Sequence, residues 1–251
     1  MSYSIPATAV GPCCRRLGSL FGTWGCTTSA LVRTCFDLLL AGLGLVCASV
    51  HAETGEQLAM SGNAAGAPAC VTCHGTVGQG QGAAGFPRLA GMNADYLAAQ
   101  LHSFQDGTRA NPIMGPVAKL LGAADVNALS RYYAALPAIE ATGNAAASGS
   151  TVTAGASLAT SGDWKNGVPA CAQCHGATGQ GVGAAFPQIA GQSVVYISNQ
   201  LKAWQANARK NDPMGLMHGI AMKLSAAQVG AVAAYYAGLA SSTVSKESGK
   251  P

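Results

Sequence analysis

The chain has 251 residues, 49% hydrophobic and only 10% charged, with a formal net charge of +4. So apolar a composition excludes a disordered polyelectrolyte. The Lys and Arg residues are too few and too scattered for a nucleic-acid footprint; pairs such as Arg209 and Lys210 read as solvated surface, which with Lys202 could at most steer an acidic partner.

Residues 1–52 have the layout of an export leader. Arg15, Arg16 and Arg33 precede the apolar run Leu38 to Val50, and the small residues around Val50-His51-Ala52 suit cleavage after Ala52. The run holds 13 residues, whereas a bilayer span needs about 20, so any membrane association is expected to be peripheral. Cys47 lacks the small residue that a lipoprotein acceptor needs just before it. Five of the nine cysteines lie in this leader, leaving Cys70, Cys73, Cys171 and Cys174 in an exported chain.

The remainder is an internal repeat with a spacing of about one hundred residues. Pro68-Ala69-Cys70-Val71-Thr72-Cys73-His74-Gly75 returns as Pro169-Ala170-Cys171-Ala172-Gln173-Cys174-His175-Gly176, and Phe86-Pro87-Arg88-Leu89-Ala90-Gly91 returns as Phe186-Pro187-Gln188-Ile189-Ala190-Gly191. Tyr96, Gln100, Leu101 and Phe104 return as Tyr196, Gln200, Leu201 and Trp204; Asn111 returns as Asn211, and Tyr132-Tyr133 as Tyr235-Tyr236. The expected order is a leader (1–52), a first unit (53–140), a flexible linker rich in small residues (141–154), a second unit (155–241) and a tail (242–251).

Within each unit the periodicity is helical. A first helix is expected around Glu56 to Met60 and again around Ala156 to Thr160, and a second over Ala94 to Phe104 and Val194 to Trp204. A third carries Val126, Leu129, Tyr133 and Leu136 on one face, matched by Val229, Val232, Tyr236 and Leu239. No segment alternates with period two, so the predicted class is all-α with little strand.

The chemistry lies in the paired cysteines. Two thiols three positions apart can form thioethers with the two vinyl groups of one haem, and the adjoining His74 or His175 then sits against the iron. A structural zinc site fits poorly, because His74 adjoins the cysteines it would have to join around the metal. A thioredoxin-type pair needs a βαβ context that is missing, and simple disulfides would leave the histidines and the repeat without a purpose. The reading is two covalently bound haem c groups.

An electron-transfer haem needs a sixth ligand, and methionine raises the potential. Met114 and Met217 each stand 12 residues before the matching Val126 and Val229. Met214 is the rival for the second haem, since it aligns with Met114 when counted from Asn111 and Asn211. Met60 and Met92 have no methionine counterpart and read as core or loop residues; Met222 reads as core. His102 and His218, matched by Lys202 and Gly115, read as surface histidines or supports for other residues. Proline leaves its carbonyl free while stiffening a loop, so the Pro87 and Pro187 carbonyls are the candidate acceptors for the second ring nitrogen of each histidine ligand.

Taken together, Cys-x-x-Cys-His, Phe-Pro-x-Leu/Ile-Ala-Gly, Tyr-x-x-x-Gln-Leu and a methionine ahead of a helix carrying Tyr-Tyr resemble the dihaem class I cytochromes of the cytochrome c4 type. The resemblance covers roughly residues 53–240. It implies two cytochrome c folds packed together with their haem edges near the interface, acting as a periplasmic carrier toward a terminal oxidase. It assigns His74 and His175 as proximal ligands, Met114 and Met217 as distal ones, and Pro87 and Pro187 as their acceptors. The expected partners are redox proteins: a quinol-oxidising complex, a terminal oxidase or a dehydrogenase. Alternatives are the cytochrome subunit of a periplasmic dehydrogenase, or a dihaem peroxidase if one methionine leaves its iron open.

Overall fold

The computed structural model describes residues 53–139 and 149–239. The leader, linker residues 141–148 and the tail lie outside the described residues.

The first half opens with α1 (Gly55–Ser61), capped by Thr54: its hydroxyl accepts from the Gln57 N–H at 3.2 Å, and the Gln57 side chain accepts from the Thr54 N–H at 2.9 Å. It continues through the short α2 (Val71–His74), then α3 (Ala94–Asp106), α4 (Met114–Lys119) and α5 (Ala123–Ala135). The second half repeats this order with α6 (Ser150–Ser161), α7 (Ala172–His175), α8 (Val194–Gln205), α9 (Leu216–Ala221) and α10 (Ala226–Ala237). Asn93 and Ser193 cap α3 and α8, each accepting at 3.0 Å from the N–H of the tyrosine three residues on, Tyr96 and Tyr196. Among the described residues the only β-type pairings are isolated bridges.

In each half the first and last helices cross closely, α1 on α5 and α6 on α10. Glycine makes this possible: a Cβ on Gly55 would run into the Ala128 carbonyl, and one on Gly155 into the Ala231 carbonyl. Around each crossing lies an apolar core. Leu58, Met92, Leu97, Val126, Leu129 and Tyr133 build the first; Leu158, Leu201, Trp204, Val229, Val232 and Tyr236 build the second. Of the one-face pattern read from Val126 to Leu136 and from Val229 to Leu239, the stretches to Tyr133 and Tyr236 are the buried face of α5 and α10, whereas Leu136 and Leu239 lie just past the helix ends and pack on the cores from there.

Two details differ from the sequence expectation. Helix α6 begins at Ser150, so residues placed in the linker are its first turns; their Ser, Thr and Gly content hid a helix held by packing rather than propensity. Helices α4 and α9 have six residues each, too few for a periodicity to register.

The halves meet where a short antiparallel pair joins Thr108–Ala110 to Ala208–Lys210. The Ala110 N–H donates to the Ala208 carbonyl at 2.8 Å, and the Lys210 N–H to the Thr108 carbonyl at 2.7 Å. Arg109 thus pairs with its own repeat equivalent, Arg209, the self-complementary contact expected of two like units related by a local twofold. A second joint is Gln192, whose side chain accepts from the Arg88 N–H at 3.1 Å and donates to the Arg88 carbonyl at 2.8 Å. No helix among the described residues is long and apolar enough to cross a membrane.

Candidate functional site

The two Cys-x-x-Cys-His segments fold alike. Each is a single helical turn in which the histidine N–H donates to the carbonyl of the first cysteine, at 2.9 Å for His74 on Cys70 and 3.0 Å for His175 on Cys171. None of Cys70, Cys73, Cys171 and Cys174 is in a disulfide, so all four sulfurs remain available for other bonds. Burial pushes the Cys70 and Cys171 thiols up.

Beyond each turn the chain loops back so that the imidazole meets a proline. The Nδ1–H of His74 donates to the Pro87 carbonyl at 3.0 Å and that of His175 to the Pro187 carbonyl at 2.8 Å. A carbonyl can only accept, so Nδ1 carries the proton and Nε2 keeps a lone pair. Both rings are buried, and loss of solvation pulls them below the ordinary histidine range, so each is neutral at pH 7. Phe86 and Phe186 pack edge-on against these rings, with centroids 6.3 and 6.4 Å away.

A cavity of about 500 Å³, lined from both halves, receives all of these groups. Its walls include the four cysteines, His74, His175, Met114 and Met217. Met214 lies elsewhere: it is 98% exposed, on the turn Pro213–Gly215, with φ at 56°. That turn absorbs the three residues by which the second copy exceeds the first between the asparagine and the methionine, so Met217 takes the place that Met114 has in the first half. The Asp212 carboxylate holds the loop, accepting from the Trp204 indole N–H at 3.0 Å and the His218 N–H at 2.9 Å.

The methionine-bearing helices are fastened by a pair of glutamines with no role in the sequence reading. The Gln105 amide donates to the carbonyls of Ala118 and Leu121, both at 2.9 Å; Gln205 does the same to Ala221 at 2.8 Å and Leu224 at 3.0 Å. Gln105 and Gln205 recur at the repeat spacing, and that recurrence was the available signal.

The remaining candidates fall outside the donor set. His102 is exposed, beside Gln105; His218 is half-buried, its Nδ1–H donating to the Trp204 carbonyl at 3.1 Å. Met92 is core, whereas Met60 lies exposed on α1. Met222, expected in the core, is instead 55% exposed, because it follows the last residue of α9 and turns outward. Arg209 also departs from expectation: it is not solvated surface but 5% exposed, covered by the first half.

The residues present fit a haem tethered through two sulfurs. Each half offers two thiols, a neutral imidazole with Nε2 free, and a thioether, all on one apolar cavity.

The cytochrome c family model matches residues 52–136 and again 152–240. A thiosulfate dehydrogenase electron acceptor from Thiomonas intermedia is 48% identical over 176 residues, covering 68% of this chain and 78% of the relative. Among solved structures, reduced recombinant cytochrome c4 from Pseudomonas stutzeri superposes with a TM-score of 0.64 at 29% identity, covering 75% of this chain and 98% of that one. The thiosulfate dehydrogenase (TsdBA) of Marichromatium purpuratum superposes with a TM-score of 0.70 at 43% identity, covering 74% of this chain, which spans 39% of the larger solved chain. With two matches to the family model and the same tandem helical architecture, the chain belongs to the cytochrome c family, as a dihaem electron carrier of the cytochrome c4 type with a covalently bound haem c in each half.

Proposed function

We propose that this chain carries single electrons between respiratory partners in the periplasm, with His74 and Met114 as axial ligands in the first half and His175 and Met217 in the second. Cys70, Cys73, Cys171 and Cys174 serve as the thioether tethers. The observation that carries this reading is the pair of buried imidazoles whose Nδ1–H is committed to the Pro87 and Pro187 carbonyls, which leaves one nitrogen of fixed orientation for a metal in each half.

Haem c supplies a one-electron couple when bound. The chain supplies the rest. The proline carbonyls hold each imidazole in one tautomer, and Gln105 and Gln205 anchor the helices that bring Met114 and Met217 to the cavity wall. The apolar lining keeps water away, so changes of iron charge require little solvent rearrangement. The leader ending at Ala52 supports export.

The name of the Thiomonas relative and the TsdBA likeness favour one donor, a thiosulfate-oxidising dehydrogenase. Association as a subunit of such an enzyme rests on the same observation. Two measurements test the proposal. The mass of the exported protein should exceed that of the processed polypeptide by two haems, with a low-spin ferric spectrum showing a sulfur-to-iron charge-transfer band. In rapid mixing, a purified thiosulfate dehydrogenase supplied with thiosulfate should reduce both haems. High-spin iron that binds carbon monoxide in both halves would overturn the ligation, and no reduction by that enzyme would overturn the donor.

A further inference from the structure

Helix α5 carries a serine on its apolar face. Ser130 is 2% exposed and shares the buried side of the helix with Val126, Leu129 and Tyr133. A hydroxyl on a helix can find a partner close at hand, in the carbonyl four residues back. Ser103, Thr153 and Thr160 take that bond, donating to the carbonyls of Ala99, Gly149 and Ala156 at 2.7, 3.3 and 2.8 Å. Ser130 does not: its Oγ is buried with no hydrogen-bond partner among the described residues.

The second half shows that this place in the fold needs no hydroxyl. Four residues past Val229, as Ser130 is past Val126, stands Ala233, fully buried on α10. A buried hydroxyl without a partner costs free energy that alanine avoids, so packing gives no reason for the serine. The cavity gives one, because Ser130 lines it together with His74, Met114 and Leu129. Other polar groups on that wall are already engaged. The His74 Nδ1–H donates to the Pro87 carbonyl, the Gln100 side-chain oxygen accepts from Arg109 Nη1 at 3.1 Å, and the Asn111 side-chain oxygen accepts from the Met114 N–H at 2.8 Å. Ser130 keeps its O–H for the occupant of the cavity.

We propose that the Ser130 hydroxyl donates into the haem site of the first half, to the ring or to the Met114 sulfur, and holds that haem at a higher potential than an apolar residue would. The second half, with Ala233, lacks this contact. The sign follows from the dipole: a donated O–H turns its positive end toward the haem and stabilises the added electron of the ferrous form. Apolar walls leave such a dipole poorly screened, and hydrogen bonding and burial are among the levers by which a protein sets a haem potential. Ser130 is a positioning residue that tunes one haem and takes no part in ligating iron. The inference rests on the haem c assignment above.

Two experiments decide it. In spectroelectrochemical titrations of the haem-loaded protein, Ser130→Ala should lower one midpoint potential, the one that Met114→Ala also lowers, and leave the other in place. At a fixed potential near that midpoint, the ferrous-to-ferric ratio of this haem should fall about fivefold, the factor that one ordinary hydrogen bond is worth. Ser130→Thr, which keeps the hydroxyl, should retain most of the parent value. An unchanged or raised midpoint in the alanine variant, an equal shift of both haems, or a full drop in the threonine variant would overturn the proposal. In a crystal structure of the haem-loaded parent, Ser130 Oγ should lie against the ring or the Met114 sulfur of the first half; Oγ bonded instead to the Val126 carbonyl, or to a water that does not touch the haem, would refute it. That structure decides alone if Ser130→Ala fails to mature. A chain without haem would sink the functional reading instead, so the two failures are distinguishable.

Discussion

Replacing Gln192 by methionine, the residue at the matching place in the first half, removes both hydrogen bonds to the Arg88 backbone, and a weak one to the Met92 sulfur, from the joint between the halves while changing side-chain volume little. Gln192 is 2% exposed, and its amide satisfies both the N–H and the carbonyl of Arg88. In Gln192→Met both backbone groups stay buried and lose these partners, at about 2 kcal/mol each. Burying an apolar thioether in place of the amide returns about 1.5 kcal/mol, which leaves a net loss of about 2–3 kcal/mol. With a urea dependence of about 2 kcal/mol per molar, the unfolding midpoint of the haem-loaded protein should fall by about 1 M. Circular dichroism at constant haem content measures this. A fall below about 0.3 M would refute the reasoning, because it would mean that the Arg88 backbone finds other partners and the Gln192 contact adds little to the joint.

Met114→Ala and Met217→Ala should each remove the ferric sulfur-to-iron band of one haem, lower its potential and let its ferrous form bind carbon monoxide, whereas Met214→Ala should leave spectrum and potentials unchanged. Gln105→Leu should cost about 1–3 kcal/mol by guanidinium unfolding, since two carbonyls at the end of α4 lose their donor; the first haem's sulfur-to-iron band should weaken with it. Gly155→Ala places a methyl against the Ala231 carbonyl, an overpacking cost of about 1–3 kcal/mol that exceeds the roughly 0.5–1 kcal/mol gained in helix propensity. Thermal scans should show a lower Tm, and an unchanged or higher value would mean that α6 and α10 separate freely.

The residues that proved easiest to place are those whose role depends on near neighbours. Cys70, Cys73 and His74 sit on one turn, so spacing alone suggests haem attachment, and the second copy repeats the pattern. Pro87 and Pro187 could be named because a proline leaves its carbonyl free while stiffening the loop, and the bonds to His74 and His175 are there. The ends of α3 and α8 came within two residues for the same reason, as their apolar faces are continuous. Helix α6 did not, because a Ser- and Thr-rich segment becomes helical only when α10 covers it.

Other features depend on what arrives from far along the chain. Arg209 looks like any surface cation until Arg109 meets it and the aromatic and amide groups close around both. Met214 and Met217 are two methionines on one segment, distinguishable only when the turn at Pro213–Gly215 sends the first to solvent and the second to the cavity. Gln192 gains its purpose from Arg88, over one hundred residues away. Bonds along the chain are encoded by spacing, whereas burial of a charge or choice between neighbouring side chains is settled by the surface packed against it, and that surface exists only in the folded molecule.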